Sequence, residues 1–349
     1  MNKKINLFTL VIISLLIISF SAPIDRSPIS NVQAIDTLNI VASISIVADI
    51  ATQIGEGLFT VDSIVSGSEN PHLYEPTPSE VEAVANADLF IRLNLEDLEP
   101  WVDAVLLANP DVPVLNLVNP SMERYDSLID AYNPHVWMDP TNVKTMVDKI
   151  YDEIVVLDPA NNATYTTNKD SYTTELDSLL VLINTTKAVF QGMKVVVHHP
   201  SFMYLFDLLG IERLGIIEQT EGEEPSPEHI AEIIEIIRTE NVTLLINQPQ
   251  LDERQVSEIA RDTGLQIGEP TPLLGVPDVE GLVQAQGRII DNYITMIEYD
   301  LEALKNPHDP AKITDKATFW TLVGLGSAGF IATFIAVIVV RVRKPNEVA

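Results

Sequence analysis

Residues 37–55 have the sequence TLNIVASISIVADIATQIG, in which a strand-like apolar run passes directly into an amphipathic helical pattern. Residues 193–210, MKVVVHHPSFMYLFDLLG, repeat this order of a strand, a tight connection and a helix. Further short apolar runs, DLFIRLN at 88–94 and VPVLNLV at 112–118, are typical of strands buried on both faces. Strands that alternate with helices predict parallel sheets, so we expect an α/β protein with two similar lobes.

The stretch 161–190 separates the two units and contains neither glycine nor proline. Apolar or aromatic residues recur in it near helical spacing, at Tyr165, Tyr172, Leu176, Leu179, Leu180, Leu182 and Ile183. We therefore predict one helix of about 30 residues, about 45 Å long, that joins the lobes. The lobes are predicted at 36–160 and 191–306, each with a mostly parallel sheet flanked by helices.

Both ends of the chain carry long apolar segments. Residues 1–34 have the pattern of a signal segment, although an uncleaved signal anchor has a similar pattern. Residues 319–340 lack charges and, at about 33 Å as a helix, match the hydrocarbon core of a bilayer. Basic residues follow at once in the tail 341–349, which the positive-inside rule places in the cytosol. We accordingly predict a linker at 307–318, a C-terminal transmembrane helix, and a single-pass cell-membrane protein whose bulk is extracytoplasmic.

The charge and the composition exclude several classes of function. Residues 35–318 contain 48 acidic and 15 basic residues, a net charge of −33. A nucleic acid partner is excluded because phosphate binding needs a basic face. The chain has no cysteine, which excludes disulfides, thiolate metal sites and a lipid-modified cysteine. Neither a GxGxxG nor a P-loop pattern is present, so we expect no dinucleotide or ATP at such a loop.

Three of the six histidines stand in similar surroundings, beside a proline and shortly before a predicted helix. They are His72 in NPHLYEP, His135 in NPHVWMDP and His199 in VVHHPSF. Such positions correspond to the carboxyl ends of strands in an open α/β sheet, where ligand clefts form. Three neutral imidazoles with one open position are a common arrangement for Zn²⁺. The spacing of the three histidines matches no metal-binding motif. Roles in helix capping or in packing therefore explain the same residues equally well.

Of the other three histidines, His198 stays open as an alternative to its neighbour His199. In VVVHH, the alternation of a strand directs His198 and His199 to opposite sides, so at most one of them faces the cleft. His229 lies on the first turn of a predicted helix and His308 lies in the predicted linker. We expect both of these to be solvated.

Four ordered motifs resemble the zinc/manganese solute-binding proteins of metal ABC importers: NPHLYEPTPSE, NPHVWMDP, VVVHHPSFMYLFDLLG and EPSPEHIAEIIEIIRTENV. The resemblance extends over nearly all of residues 36–304. It implies two α/β lobes joined by a long helix, with one metal ion in the cleft between them. It implies His72, His135 and His199 as the ligands of that metal. It also implies a monomer, not an enzyme, that hands the metal to an ABC permease with its ATPase.

The chain departs from the family pattern at two positions that bear on metal binding. The family commonly supplies an Asp as fourth ligand, and this chain has Thr271 there, with Glu269, Asp278 or the acidic run 221–224 as candidate substitutes. Gln248 stands where the family often has Glu. Three imidazoles without that carboxylate predict Zn²⁺ in preference to Mn²⁺, because manganese favours oxygen ligands. Two alternatives to transport stay open at this point: a zinc hydrolase that uses the three histidines, and a surface adhesion protein that has lost the metal.

Overall fold

The computed structural model describes residues 37–275 and 290–310, and the elements below lie in one compact unit that begins at Leu38. The strands are β1 (Asn39–Ile44), β2 (Thr60–Val65), β3 (Leu89–Arg92), β4 (Val114–Asn116), β5 (Arg124–Asp126), β6 (Ala131–Asn133), β7 (Lys194–Val197), β8 (Glu212–Ile216), β9 (Leu244–Ile246) and β10 (Ile267–Gly268). The helices are α1 (Ser45–Gly55), α2 (Pro78–Ala85), α3 (Val102–Leu106), α4 (Pro140–Leu157), α5 (Asn162–Phe190), α6 (Met203–Leu209), α7 (Pro227–Thr239), α8 (Arg254–Thr263) and α9 (Tyr293–Lys305).

Two four-stranded parallel sheets form the centres of two lobes. The first lobe contains the order β2-β1-β3-β4, with Ile40 paired to Val61 on one side and to Leu89 on the other. The second lobe contains β8-β7-β9-β10, which is the same order repeated. The central strands β1 and β7 are almost entirely buried, as their continuous apolar runs predict. In both sheets the strand order changes direction at the central strand, so a ligand crevice is expected at its carboxyl end.

Local sequence signals fix where three of the helices begin. Thr77 and Glu80 form a capping box at α2, in which Thr77 N–H donates to Glu80 Oε2 at 2.6 Å. Asp139 accepts a backbone N–H at the start of α4 (2.8 Å), and Ser226 does so at α7 (3.2 Å). A proline follows each cap directly. Because Asp139 caps the start of α4, the preceding loop with His135 ends at a defined residue.

Helix α5 runs without interruption for 29 residues. Its buried side chains recur every three or four positions, at Tyr165, Asn168, Tyr172, Leu176, Leu179, Ile183, Thr186 and Phe190. This stripe packs against α1 and α4 from the first lobe and against α6 and α9 from the second part of the chain. The Asn168 amide donates to the carbonyl of Ile54 at the end of α1 (3.0 Å). The helix is therefore bound along its length to both parts of the molecule.

A short antiparallel hairpin of β5 and β6 leads into the His135 loop. The sequence patterns did not predict it, because its strands have only three residues each and its tyrosines Tyr125 and Tyr132 point to solvent. Its other residues contact the second lobe. Arg124 pairs with Asp207 (2.5 Å) and lies over the Tyr204 ring, 4.7 Å from its centroid.

The predicted fold class has to be corrected in one element, the C-terminal transmembrane helix. Within residues 37–275 and 290–310, no helix is both long and apolar enough to cross a bilayer. The segments predicted as signal (1–34), as most of the linker (307–318), as membrane helix (319–340) and as tail (341–349) lie outside the described residues apart from 307–310. The supported fold is therefore the α/β arrangement with parallel sheets and helices, and the membrane helix is not supported.

Candidate metal centre

Three loops bring His72, His135 and His199 together between the two lobes. His72 lies in a 3₁₀ turn, Pro71–Leu73, in the loop after β2, where its N–H donates to the Asn70 side chain at 3.1 Å. His135 directly precedes the turn that leads into α4. His199 follows β7, the central strand of the second sheet. His72 and His199 therefore follow strands of the parallel sheets, where the sequence predicted a cleft, whereas His135 follows the antiparallel hairpin strand β6.

The three imidazole rings are mutual neighbours. Their centroids are 5.5 Å apart for His72 and His135, and 5.2 Å apart for each of the other two pairs. One ring nitrogen from each residue falls within 4.8 Å of the corresponding nitrogens of the other two. Such spacing allows three nitrogens to be ligands of one ion. The chemistry of the set, three imidazoles, suits zinc better than a hard cation.

Each imidazole uses Nδ1 for a hydrogen bond within the protein. His72 Nδ1 donates to the carbonyl of Asp97 at 2.7 Å, because a carbonyl can only accept. His199 Nδ1 lies 2.9 Å from Glu218 Oε2, and His135 Nδ1 lies 3.0 Å from Asn133 Oδ1. In the neutral ring, a protonated Nδ1 leaves a lone pair on Nε2. Among the described residues, the buried Nε2 atoms of His72 and His199 have no hydrogen-bond partner.

This pattern is that of metal-binding histidines, in which the second ring nitrogen donates to an acceptor that orients the ring. Burial lowers the pKa of His135 well below its usual range, and the neighbouring His199 and His72 lower it further. Burial also lowers the pKa of His72, although Glu221 opposes this effect. Both imidazoles are therefore neutral at pH 7, which is the form that binds a metal.

Two carboxylates approach the histidines from the loop after β8. Burial alone would raise the pKa of Glu218, but its hydrogen bond to His199 lowers it, so the group is an ionised acceptor. Glu221 Oε2 lies 3.3 Å from the same Nδ1, and its other oxygen accepts from the Asn70 amide at 2.5 Å. Glu218 and Glu221 together with His199 form a second group able to hold a cation. The sequence pointed to the acidic run 221–224 but gave no signal for Glu218.

The candidates for a fourth ligand are placed differently. Thr271 is fully buried, and its hydroxyl donates to the carbonyl of Leu273 at 2.8 Å. Glu269 accepts from the Asn247 amide at 3.0 Å. Asp278 lies outside the described residues. Among the described residues, Glu269 does not belong to the three-histidine group, whereas Glu221 is adjacent to it through His199.

The remaining histidines have other partners. His198 Nδ1 lies 2.8 Å from Asn247 Oδ1, away from the three-histidine group. The expectation of solvated His229 and His308 was wrong. The side chain of His229 is only 14% exposed and its Nε2 donates to the carbonyl of Ile216 at 2.8 Å. His308 is 8% exposed and its backbone pairs with Ile267, a contact between distant parts of the chain that local sequence cannot reveal.

A family model described as zinc-uptake complex component A, periplasmic, matches residues 40–307. The chain belongs to this family. The family assignment agrees with the resemblance drawn from the four motifs. As a member of the zinc-uptake component A family, the protein is the solute-binding component of a metal ABC importer, acts with a permease and its ATPase, and is not an enzyme. The zinc hydrolase alternative is thereby excluded.

The matches to individual relatives extend over most of each relative's length. The manganese-binding lipoprotein MntA of Halalkalibacterium halodurans is 28% identical over 268 residues, which cover 76% of this chain and 86% of MntA. The high-affinity zinc uptake system protein ZnuA of Bacillus subtilis is 26% identical over 287 residues, covering 78% and 88%. A crystal structure of ZnuA is similar in fold, with a TM-score of 0.67 and 24% identity over 78% of this chain and 99% of that one.

These findings also correct the predicted localisation. The single-pass membrane protein expected from the sequence is not supported, because the residues described by the structure include no helix able to span a bilayer. The relative MntA is named a lipoprotein, which is a different mode of attachment from a membrane-spanning helix. Anchoring through a C-terminal membrane helix is therefore not supported.

Proposed function

We propose that this member of the family captures one Zn²⁺ ion per chain through the Nε2 atoms of His72, His135 and His199. The observation that carries the proposal is the shared arrangement of the three rings. Each has Nδ1 occupied by an acceptor, and the rings are close enough for their other nitrogens to share one ion. Burial lowers the pKa of His72 and of His135, which holds these two clustered rings in the neutral form that binds a metal.

The donor set favours zinc over manganese. Three imidazoles and a water complete a tetrahedron, which is a normal zinc coordination. Manganese favours oxygen ligands, and nitrogen sites generally bind Zn²⁺ more tightly than Mn²⁺. Thr271, at the family's Asp position, has its hydroxyl engaged with Leu273 and offers no carboxylate. MntA is named as manganese-binding and ZnuA as a zinc uptake protein. The relatives therefore do not decide between the two metals, and the preference for zinc rests on the chemistry of the site.

Delivery follows from the placement of the ligands on opposite lobes. We assign residues 36–160 and 191–306 to the lobes and 161–190 to the helix between them. His72 and His135 come from the first of these and His199 from the second. A permease that separates the lobes removes His199 from the ion and leaves two ligands, which weakens the binding and releases the metal.

Competitive titration of the purified protein with a zinc-chelating indicator tests the proposal. We expect one ion per chain, and at least about a 100-fold weaker affinity in His72→Ala, His135→Ala and His199→Ala, since even residues that only orient ligands contribute 10–100-fold. His229→Gln is the matched control, because its ring donates to Ile216 away from the cluster. A larger loss of zinc affinity in His198→Ala than in His199→Ala would show that His198, and not His199, is the ligand. Wild-type protein that binds no metal would instead favour the adhesion alternative.

A further inference from the structure

Asn133 occupies an unusual place between the two lobes. It is the last residue of β6, it is completely buried, and its side-chain amide makes four hydrogen bonds. Its Oδ1 accepts from the N–H of His135 (3.0 Å) and from Nδ1 of the same residue (3.0 Å). Its Nδ2 donates to Asp126 Oδ2 (3.0 Å) and to the carbonyl of Pro200 (2.9 Å). The amide thus uses its full capacity of two donors and two acceptors.

These four bonds determine the tautomer of His135. Asp126 Oδ2 and the Pro200 carbonyl can only accept, so the amide nitrogen of Asn133 must face them. Its oxygen must then face His135, where it can only accept a hydrogen bond, so Nδ1 carries the proton and donates. The lone pair of His135 is consequently on Nε2, the nitrogen directed to the metal site. In water, no such acceptor fixes the choice between the two ring nitrogens.

One of these four bonds, the one to Pro200, comes from the second lobe, and a second is supported from there through Asp126. Pro200 follows His199 directly in the chain. Asp126 is held by Arg213 of β8, with Nη1 2.8 Å from Oδ2. Burial alone would raise the pKa of Asp126, but its hydrogen bonds from Arg213 and Asn133 keep that pKa below its usual value. Tyr204 of α6 adds a hydrogen bond from its hydroxyl to the carbonyl of Asn133 (2.8 Å).

We propose that Asn133 is a positioning residue that presents Nε2 of His135 to the metal most firmly while the two lobes are in contact. Separation of the lobes removes the Pro200 acceptor and the Arg213 partner of Asp126. The Asn133 amide then loses one of the two acceptors that fix its orientation, and the other, Asp126, loses the guanidinium that holds it, so the tautomer of His135 is fixed less firmly. Opening would therefore weaken a ligand of the first lobe as well as withdraw His199. The part of this inference that concerns metal release rests on the proposed function. The part that concerns the tautomer of His135 does not.

Nitrogen-15 NMR of the imidazoles in the metal-free protein, at a pH where they are neutral, tests the role of Asn133. We expect His135 with its proton on Nδ1 in the wild type and a shift towards a proton on Nε2 in Asn133→Ala. We also expect zinc affinity in Asn133→Ala to fall about 10–100-fold, with faster dissociation. Asn168→Ala is the matched control, because it also removes a buried amide that donates to a backbone carbonyl, but far from His135 in the chain.

The outcomes separate the two proposals. Wild-type protein without zinc binding would overturn the proposed function, while the NMR spectra would still decide the tautomer. Zinc binding and a Nδ1–H tautomer that both survive in Asn133→Ala would overturn the role of Asn133. If Asn133→Ala does not fold, Asp126→Asn keeps the shape and removes the charge that pairs with Arg213. That variant is expected to shift the tautomer and the affinity in the same direction by less, and no shift would count equally against the proposal.

Discussion

The acceptors behind the three histidines are chemically different, and each comes from a different part of the chain. They are the carbonyl of Asp97, the amide of Asn133 and the carboxylate of Glu218. An ionised carboxylate makes the imidazole it orients a stronger donor to a metal than a carbonyl does. The one carboxylate among the three acceptors thus orients His199, the histidine that comes from the second lobe.

A prediction for a single residue concerns Asp49, a buried residue of α1 whose carboxylate accepts from the N–H of Tyr293 at 2.8 Å. Burial raises its pKa from 3.8 to about 6, partly opposed by hydrogen bonds from Gln53 and Tyr293. Because the folded-state pKa lies above the unfolded one, its contribution to stability is complete below about pH 4 and is lost as pH rises through 6. The cost at pH 7 is about 3 kcal/mol on the scale of 1.36 kcal/mol per pKa unit.

Asp49→Asn should consequently be more stable than the wild type at pH 7, and the difference should shrink towards pH 4. Denaturant unfolding of the two proteins at several pH values measures this. The amide keeps an oxygen for the Tyr293 N–H, so the helix start at α9 is retained. Equal stability of both proteins across the range, or an advantage that grows as the pH falls, would contradict the assignment.

Among the elements, the loop after β2 makes a close backbone contact with the segment 271–275. Gly67 has φ +121°, and a Cβ there would overlap the carbonyl oxygen of Leu274. Gln250 Nε2 also donates to the carbonyl of Gly67 at 2.9 Å. The backbones of the two lobes thus touch at a point where only glycine fits.

Gly67→Ala should force these segments apart, at a cost beyond the 1–3 kcal/mol or so typical of overpacking. Gly264→Ala is the matched control, because Gly264 also has a positive φ (+75°) but has no atom within 4 Å of the place that a Cβ would take. Thermal unfolding and zinc dissociation rates should show a lower Tm and a faster release for Gly67→Ala. Equal losses in the two variants would mean that backbone strain, and not the contact, explains the effect.

Local chemistry explains which elements the sequence could predict. The caps at Thr77, Asp139 and Ser226, the apolar strands and the His-Pro loops all depend on neighbouring residues. The hairpin β5–β6 and the surroundings of Thr271 could not be predicted, because they depend on partners far along the chain. Thr271, for example, donates its N–H to Asp300, 29 residues away, at 2.7 Å.

Across the whole molecule, α5 and the hydrogen bonds across the cleft limit how far the lobes can move. The helix has no glycine or proline at which to bend. Trp137 of the His135 loop donates to the carbonyl of Pro272 at 2.7 Å, and Asn133 donates to Pro200. Large hinge motions use flexible connections, and an uninterrupted helix such as α5 is not one.

Small-angle X-ray scattering profiles of the metal-free and zinc-loaded protein should therefore nearly coincide. The expected movement of the lobes is only a few ångströms. Gly67→Ala, with its forced separation, provides a reference for how an opened form scatters. A large compaction of the wild type on adding zinc would show that the helix bends or that the contacts across the cleft form only with metal.

The proposed binding of one zinc ion by three imidazoles can be tested at the metal itself, by zinc X-ray absorption on the protein loaded with one equivalent of Zn²⁺. We expect nitrogen and oxygen neighbours at about 2.0 Å and the outer-shell scattering of three imidazole rings. His135→Ala should lose one ring from that signal, whereas His229→Gln should keep all three. A zinc shell with fewer than two imidazoles in the wild type, or one dominated by carboxylates, would contradict the three-histidine site.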